Sequence, residues 1–223
     1  MIINKGKIVD ASIIEALVQR NSKEENKELK EGNIPAAWQH NEHKLSHKDT
    51  DARWVTKNGE DRFGYKNSIK VDSKKKFIDN YNVTDAAVHE SISVKAVLSK
   101  KDKVQTLHGD SAFNGEAFEE AVKKCEMINN IHEKGYRNNP LTEQQKQSNN
   151  GKSRIRARVE HIFGYVYQRV GNPIIRTIGI VRAKVKIGLM NLTYIYAGLP
   201  ITKQRLQGGS VPMTAETSSQ CTG

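Results

Sequence analysis

Residues 7–14, KIVDASII, form a short apolar run with an aspartate near its centre. Runs of this length that are rich in isoleucine and valine are typical of buried β-strands. An unpaired charge inside such a strand costs free energy, so Asp10 indicates either an edge strand or a carboxylate retained for chemistry. We take this strand as the start of a sheet and Asp10 as the first candidate functional residue.

Two segments farther along the chain predict a β-hairpin. Residues 63–71 (FGYKNSIKV) and 77–83 (FIDNYNV) alternate apolar and polar side chains with a period of two. This alternation is the pattern of strands with one buried face. The turn-like sequence DSKKK lies between them, so we expect the two strands to pair in antiparallel fashion.

The second half of the chain alternates between helical patterns and short apolar runs. The complete order is strand, hairpin, helix, strand, helix, strand and two helices. That order predicts an α/β fold in which a mixed sheet is flanked by helices. Helices are predicted at residues 89–99, 116–125, 154–170 and 178–199, and strands at residues 104–107 and 127–131.

Three polar segments interrupt this pattern. Residues 19–60 are charged and weakly periodic, and they predict a long, exposed, partly helical insertion. Residues 132–150 are rich in Asn, Gln and Lys and predict a mobile loop. Residues 207–223 lack a core pattern and predict a disordered tail. One domain is expected over residues 1–206, since a chain of 223 residues has room for a single core.

Positive charge is concentrated in the last third of the chain. Lys and Arg total 36 against 25 Asp and Glu, a net charge of +11. Residues 151–206 contain eleven basic residues and a single acid, Glu160, and so carry +10 of that +11. Solvated helical faces normally mix both signs, so this segment predicts a polyanionic partner, with nucleic acid as the first candidate. A merely solubilising surface is the alternative.

Several classes of protein are disfavoured by the sequence. Two cysteines, Cys125 and Cys221, are too few for a disulfide scaffold or a cysteine-rich zinc module. The first ten residues contain no apolar signal-peptide core, and the uncharged stretch 187–201 is shorter than the roughly 20 residues of a membrane span. The glycine-containing sequences match no phosphate-binding loop. We therefore expect a cytoplasmic protein with no membrane contact and no nucleotide cofactor.

Three carboxylates stand in settings that suit two-metal phosphoryl transfer, which needs acidic side chains from separate elements at one point. Asp10 interrupts a strand, Asp110 follows a predicted strand at its C-terminal end, and Glu160 lies within a predicted helix. Each also has a structural explanation: an edge strand for Asp10, a turn cap for Asp110, and an ion pair with Arg156 for Glu160. The spacing of these residues leaves both explanations open.

Five sequences occur in an ordered series: KGKIVDASII, KDTDARWVTKNGEDRFGYKNSIKVD, VTDAAVHES, LHGDSAFNGE and RARVEHIFG. Over roughly residues 5–200 the chain resembles bacterial insertion-sequence transposases of the insertion-sequence-five (IS4/IS5-like) group. These are DDE transposases with a ribonuclease-H-like catalytic core. The resemblance implies that Asp10, Asp110 and Glu160 are the catalytic residues and the metal ligands.

The resemblance also implies a chemistry and a partner. Two Mg²⁺ or Mn²⁺ ions would support cleavage of DNA at transposon ends and transfer of the 3′-OH ends into target DNA. The implied partner is DNA, with a homodimer as the candidate assembly and the bacterial nucleoid as the location. The side chains expected to bind DNA are Arg154, Arg156, Arg158, Lys184 and Lys186.

Full-length relatives of that group carry a helical DNA-binding segment before the first strand, whereas here Asp10 is the tenth residue. This predicts that the chain lacks the segment. Two hypotheses follow: an active catalytic domain, or a truncated, inactive remnant that only binds DNA through its basic C-terminal helices. A third, a basic nucleic-acid-binding protein of unrelated fold, requires the ordered sequences to be coincidental.

Overall fold

A computed structural model describes residues 6–19, 21–137, 139–171 and 173–206, without the side chains of residues 170 and 198–206. The strands are β1 (Lys7–Glu15), β2 (Arg53–Lys57), β3 (Glu60–Asp72), β4 (Ile78–Asp85), β5 (Thr106–His108) and β6 (Ile128–Asn129). The helices are α1 (Lys23–Lys30), α2 (Ala36–Gln39), α3 (Glu42–Ser46), α4 (Glu90–Lys95), α5 (Glu116–Lys124), α6 (Glu143–Val170) and α7 (Ile180–Leu206). The predicted disordered tail, residues 207–223, lies outside the described residues.

β1 lies in the middle of a six-stranded sheet. The order is β2–β3–β1–β5–β6, and β4 pairs with β3 as well. β1 runs antiparallel to β3, with Asp10 opposite Ile69, and parallel to β5, with Ile8 opposite His108. This mixed sheet with flanking helices confirms the predicted α/β class and is consistent with a ribonuclease-H-like fold. The predicted hairpin of residues 63–71 and 77–83 is confirmed as β3 and β4.

The edge-strand explanation of Asp10 is wrong for β1 as a whole, because strands pair with it on both sides. The pairing with β5 nevertheless stops at Ile8, since β5 ends at His108. Asp10 therefore lies just beyond the end of its parallel neighbour. A crevice at the carboxyl ends of parallel strands is where α/β proteins commonly bind ligands.

Helices cover both faces of the sheet. Successive side chains of a strand point to opposite faces. Ile8 accordingly packs with Val159 and Ile162 of α6, while Val9 packs on the other side with α4 and α5. Asp10 shares the face of Ile8, so the alternation along β1 directs its carboxylate toward α6. Among the described residues, no helix is long and apolar enough to cross a membrane.

Residues 19–60, the predicted insertion, contain three short helices and a strand. Its helical part forms α1 to α3 around Trp38, which is fully buried and donates its indole N–H to Glu25 at 2.7 Å. Buried Asp49 accepts the hydroxyl of Tyr65 on β3 at 2.7 Å, which fastens the insertion to the sheet. The same segment contains a strand that was not predicted, β2, which pairs with β3 along its whole length. Because most β2 side chains are exposed, β2 has only a weak apolar signal.

The predicted mobile loop over residues 132–150 is wrong from Glu143 onward, where α6 begins. Thr142 and Gln145 form a capping box that satisfies backbone N–H groups at the start of the helix. The first turns of α6 carry mostly exposed polar side chains. Without an apolar stripe to mark a buried face, this part of the helix has no periodic signal.

Candidate active site

Asp10 is a largely buried carboxylate on the central strand. Its side chain is 16% exposed, and its Oδ1 accepts the backbone N–H of Ala11 at 2.8 Å. Burial raises the pKa of Asp10 to about 6, although the Ala11 N–H and the nearby Arg156 act in the opposite direction. A carboxylate held this way is poised to gain a cation, because pairing offsets the cost of desolvation.

Asp110 follows the C-terminal end of β5 on the loop beside β1. Its Oδ1 accepts the N–H of Ser111 at 2.6 Å and caps the short 3₁₀ turn Ser111–Phe113. Asp110 therefore caps a turn, as the structural explanation expects. Capping uses Oδ1, and Asp110 still lines the cleft described below. Gly109 brings this loop close to β1, since a Cβ there would lie 3.1 Å from the side chain of Val9.

Glu160 lies on α6 with its side chain 59% exposed, one turn after Arg156. The Arg156 Nη2 lies 2.9 Å from Glu160 Oε1, and its Nη1 lies 3.5 Å from Asp10 Oδ2. The expected ion pair between Glu160 and Arg156 is thus present. It extends to Asp10, so that one guanidinium links the helix carboxylate to the strand carboxylate.

The three predicted carboxylates line a single cleft of about 440 Å³. They reach it from β1, from the loop after β5 and from α6, three elements that are far apart in sequence. The cleft also receives cations and a fourth carboxylate from other elements. Its charged lining residues are Asp10, Lys57, Arg62, Glu90, Asp110, Arg156 and Glu160.

Three of these lining residues, Lys57, Arg62 and Glu90, are absent from the predictions made from sequence. Glu90 stands in the first turn of α4 and holds Lys57 at 2.9 Å. Lys57 directly precedes a two-residue turn at residues 58–59, and Arg62 lies on β3 opposite Val55. An available signal was the Asn-Gly pair in this turn, which is the strongest short-range indication of a β-hairpin.

His132 is a further residue that the sequence analysis did not single out. Its Nδ1 lies 2.7 Å from the carbonyl oxygen of Gly109, and its Nε2 lies 2.9 Å from the hydroxyl of Ser153 on α6. This imidazole therefore fastens the loop of Asp110 to the helix of Glu160. No local sequence pattern marks it, because its partners lie on two other elements.

The five cations predicted to bind DNA occupy different surfaces. Of these, Arg156 lines the cleft. Arg158 instead donates to the carbonyl of Ser73 at 2.6 Å, in the turn between β3 and β4. Lys186 lines a separate groove with Gly171 and Leu189. Arg154 and Lys184 are exposed.

The donor set suits a hard divalent cation, because Mg²⁺ and Mn²⁺ prefer carboxylate oxygens. Within the described part of the chain, however, no three Asp, Glu, His or Cys side chains gather round one point as ligands of a single ion. Arg156 lies between two of the carboxylates instead. The three carboxylates therefore fit a metal centre, because their oxygens suit such an ion and they line one cleft. In this structure the cation between Asp10 and Glu160 is the guanidinium of Arg156.

Comparison with known proteins agrees with this architecture. The family described as Transposase DDE domain matches residues 7–196, a range that includes all three carboxylates. The transposase for insertion sequence element IS1106 of Neisseria meningitidis serogroup B is 31% identical over 122 residues, which are 55% of this chain and 42% of that relative. The match thus spans less than half of that relative's length. Because the family match extends over most of the chain, the chain belongs to the family of transposases with a DDE domain.

Proposed function

We propose that the chain is the catalytic part of an insertion-sequence transposase of the IS4/IS5-like group that cleaves DNA at transposon ends and joins the 3′-OH ends to target DNA. Asp10, Asp110 and Glu160 are its catalytic carboxylates. The observation that carries this proposal is that all three line one cleft from three separate elements. The family to which the chain belongs supports the same reaction class.

In this proposal the three carboxylates would hold two Mg²⁺ or Mn²⁺ ions. When bound, such ions would supply activation of the attacking water or 3′-OH and stabilisation of the leaving oxygen. Asp10 is suited to the task because it is ionised above its pKa of about 6 and already attracts a cation. Arg156 orients Glu160 and is the side chain best placed to contact the phosphate group under attack.

The protein around the cleft supplies rigidity. His132 fastens the loop of Asp110 to α6, and Asp10 lies on a strand hydrogen-bonded to β3. Preorganised groups of this kind lower the cost of orientation in the transition state. The remaining predicted cations, Arg154, Arg158, Lys184 and Lys186, would hold DNA outside the cleft.

The test is nicking and strand transfer in Mg²⁺ or Mn²⁺ on DNA that carries the flanking ends of the element. Wild type is compared with Asp110→Ala and with Glu119→Gln, which removes an exposed carboxylate on α5 outside the cleft. We expect activity in wild type and Glu119→Gln, and none in Asp110→Ala. Thermal unfolding of each variant checks that it is folded.

The alternative is a remnant that binds DNA without cutting it. Inactive wild type with intact DNA binding and a cooperative unfolding transition would establish the remnant and overturn the catalytic proposal. Activity that persists in Asp110→Ala would also overturn it, because the cleavage would then come from a contaminant or another site. The homodimer stays a prediction, to be tested by the mass of the DNA complex.

A further inference from the structure

The hairpin formed by β2, the turn at residues 58–59 and the start of β3 lines the catalytic cleft; we call it the cleft hairpin. Lys57, Asn58 and Arg62 of this hairpin share the cleft with Asp10, Asp110 and Glu160. Its first strand and its turn are the last part of the polar insertion predicted over residues 19–60. We propose that the cleft hairpin is a second DNA-backbone contact, in which Lys57 and Arg62 bind phosphates beside the scissile one; this rests on the proposed function.

The geometry of the cleft hairpin is well defined. Asn58 and Gly59 have φ angles of 56° and 81°, as a two-residue type I′ turn requires. Behind the turn, the rings of the cross-strand pair Trp54 and Phe63 pack with centroids 5.3 Å apart. A short turn and an aromatic pair restrict the hairpin, so its cations are presented from a fixed position.

The negative charge of the cleft creates a need for cations such as Lys57 and Arg62 when DNA enters. Four carboxylates line the cleft, and an entering phosphodiester would be repelled by them. Arg156, the cleft cation on α6, is already engaged by Asp10 and Glu160. Lys57 and Arg62 supply positive charge from another wall of the same cleft. The DNA strand on either side of the reacting phosphate would pass along this wall.

The ion pairs of these two cations are easily exchanged for phosphate. The Lys57 side chain is 45% exposed where it meets Glu90, and the Arg62 side chain is 39% exposed where it meets Glu60 and, at 3.9 Å, Glu15. Solvent screens the exposed cation of each pair, and exposed pairs such as Arg62 with Glu60 contribute little to stability. Glu90 thus holds Lys57 at the cleft in the free protein, and DNA can replace it without disturbing the fold.

The test compares wild type, the double variant Lys57→Gln/Arg62→Gln, and Lys103→Gln in binding to a short DNA duplex of arbitrary sequence in EDTA. Lys103 is a matched control, because it is 58% exposed, is paired with Glu126, and lies before β5, at the opposite end of that strand from Asp110. The measured quantity is the slope of log Kd against log salt. Each lost phosphate contact lowers that slope by about 0.9.

We expect the double variant to lose about 2 units of slope and roughly tenfold or more in affinity, and Lys103→Gln to match wild type. Acetylation of lysines read by mass spectrometry should also show DNA protecting Lys57 and leaving Lys103 reactive. A wild-type slope in the double variant, while Arg156→Gln still weakens binding, would overturn the hairpin proposal alone. If wild type shows no salt-dependent DNA binding, both the hairpin proposal and the proposed function are overturned.

Discussion

Glu160 lies 2.9 Å from the guanidinium of Arg156 one turn earlier on α6, and the same guanidinium reaches Asp10 on β1 at 3.5 Å. A single side chain thus contacts two of the three candidate catalytic carboxylates. In the protein without a metal ion, this side chain links α6 to β1 at the cleft. A divalent ion bound at the proposed site would compete with Arg156 for the same oxygens.

This competition predicts opposite effects of one substitution. Arg156→Gln should raise Mn²⁺ affinity severalfold, because it removes a cation that repels the ion. The same variant should lose most of its DNA cleavage, since in the proposed function Arg156 also contacts the phosphate. Calorimetric titration with Mn²⁺ measures the first effect, and nicking assays measure the second. Unchanged or weaker Mn²⁺ binding would contradict the competition.

The raised pKa of Asp10 predicts a pH-dependent cost in stability. Its carboxyl titrates at about 6 in the folded chain against an ordinary value of 3.8. A raised folded pKa favours folding while the group is protonated, and this advantage is lost as the pH rises through 6. Asp10→Asn should therefore stabilise the metal-free protein by about 3 kcal/mol at pH 8 and by only about 0.5 kcal/mol near pH 4. Urea unfolding in EDTA at the two pH values measures the difference, and an equal effect at both would contradict it.

A buried charge network at the other end of β1 should be sensitive to the loss of one member. Asp102 pairs with Lys70, and Lys7 lies 3.9 Å from the other oxygen of Asp102; all three side chains are at most 6% exposed. Asp102→Asn removes the carboxylate that pairs with buried Lys70, whereas Lys7 keeps Asp72 and Asp79 as partners, and it should lower the free energy of unfolding by about 3–5 kcal/mol. Glu126→Gln, which breaks an exposed pair with Lys103, should change it by less than about 1 kcal/mol. Chemical denaturation compares the two variants.

Close approach of β1 and β3 requires a glycine at position 64. A Cβ at Gly64 would lie 2.2 Å from the carbonyl oxygen of Ile14, which is backbone and cannot move aside within the sheet. Gly64→Ala should therefore lower the thermal midpoint strongly, with a cost of about 2 kcal/mol or more. Gly151→Ala on α6 is the counterpart, because it meets nothing within 4 Å and should stabilise the helix by about 0.5–1 kcal/mol. Equal effects of the two variants would refute this explanation.

Local patterns were sufficient for much of the fold. The apolar run at residues 7–14, the alternating hairpin of β3 and β4, and the amphipathic helix α5 were all recognised from residues close together in the chain. Their order predicted a mixed sheet flanked by helices. The carboxylates Asp10, Asp110 and Glu160 were candidates for the same reason, since each stands out against its own neighbours.

The composition of the cleft was decided by tertiary structure. Lys57, Glu90 and Asp110 become neighbours of Asp10 through strand pairing and through the position of α4, which no short window of sequence encodes. The early end of β5, which leaves Asp10 beside a crevice, likewise depends on long-range register. Periodicity reports which side of an element is buried, whereas the identity of the groups that meet across elements depends on how those elements pack.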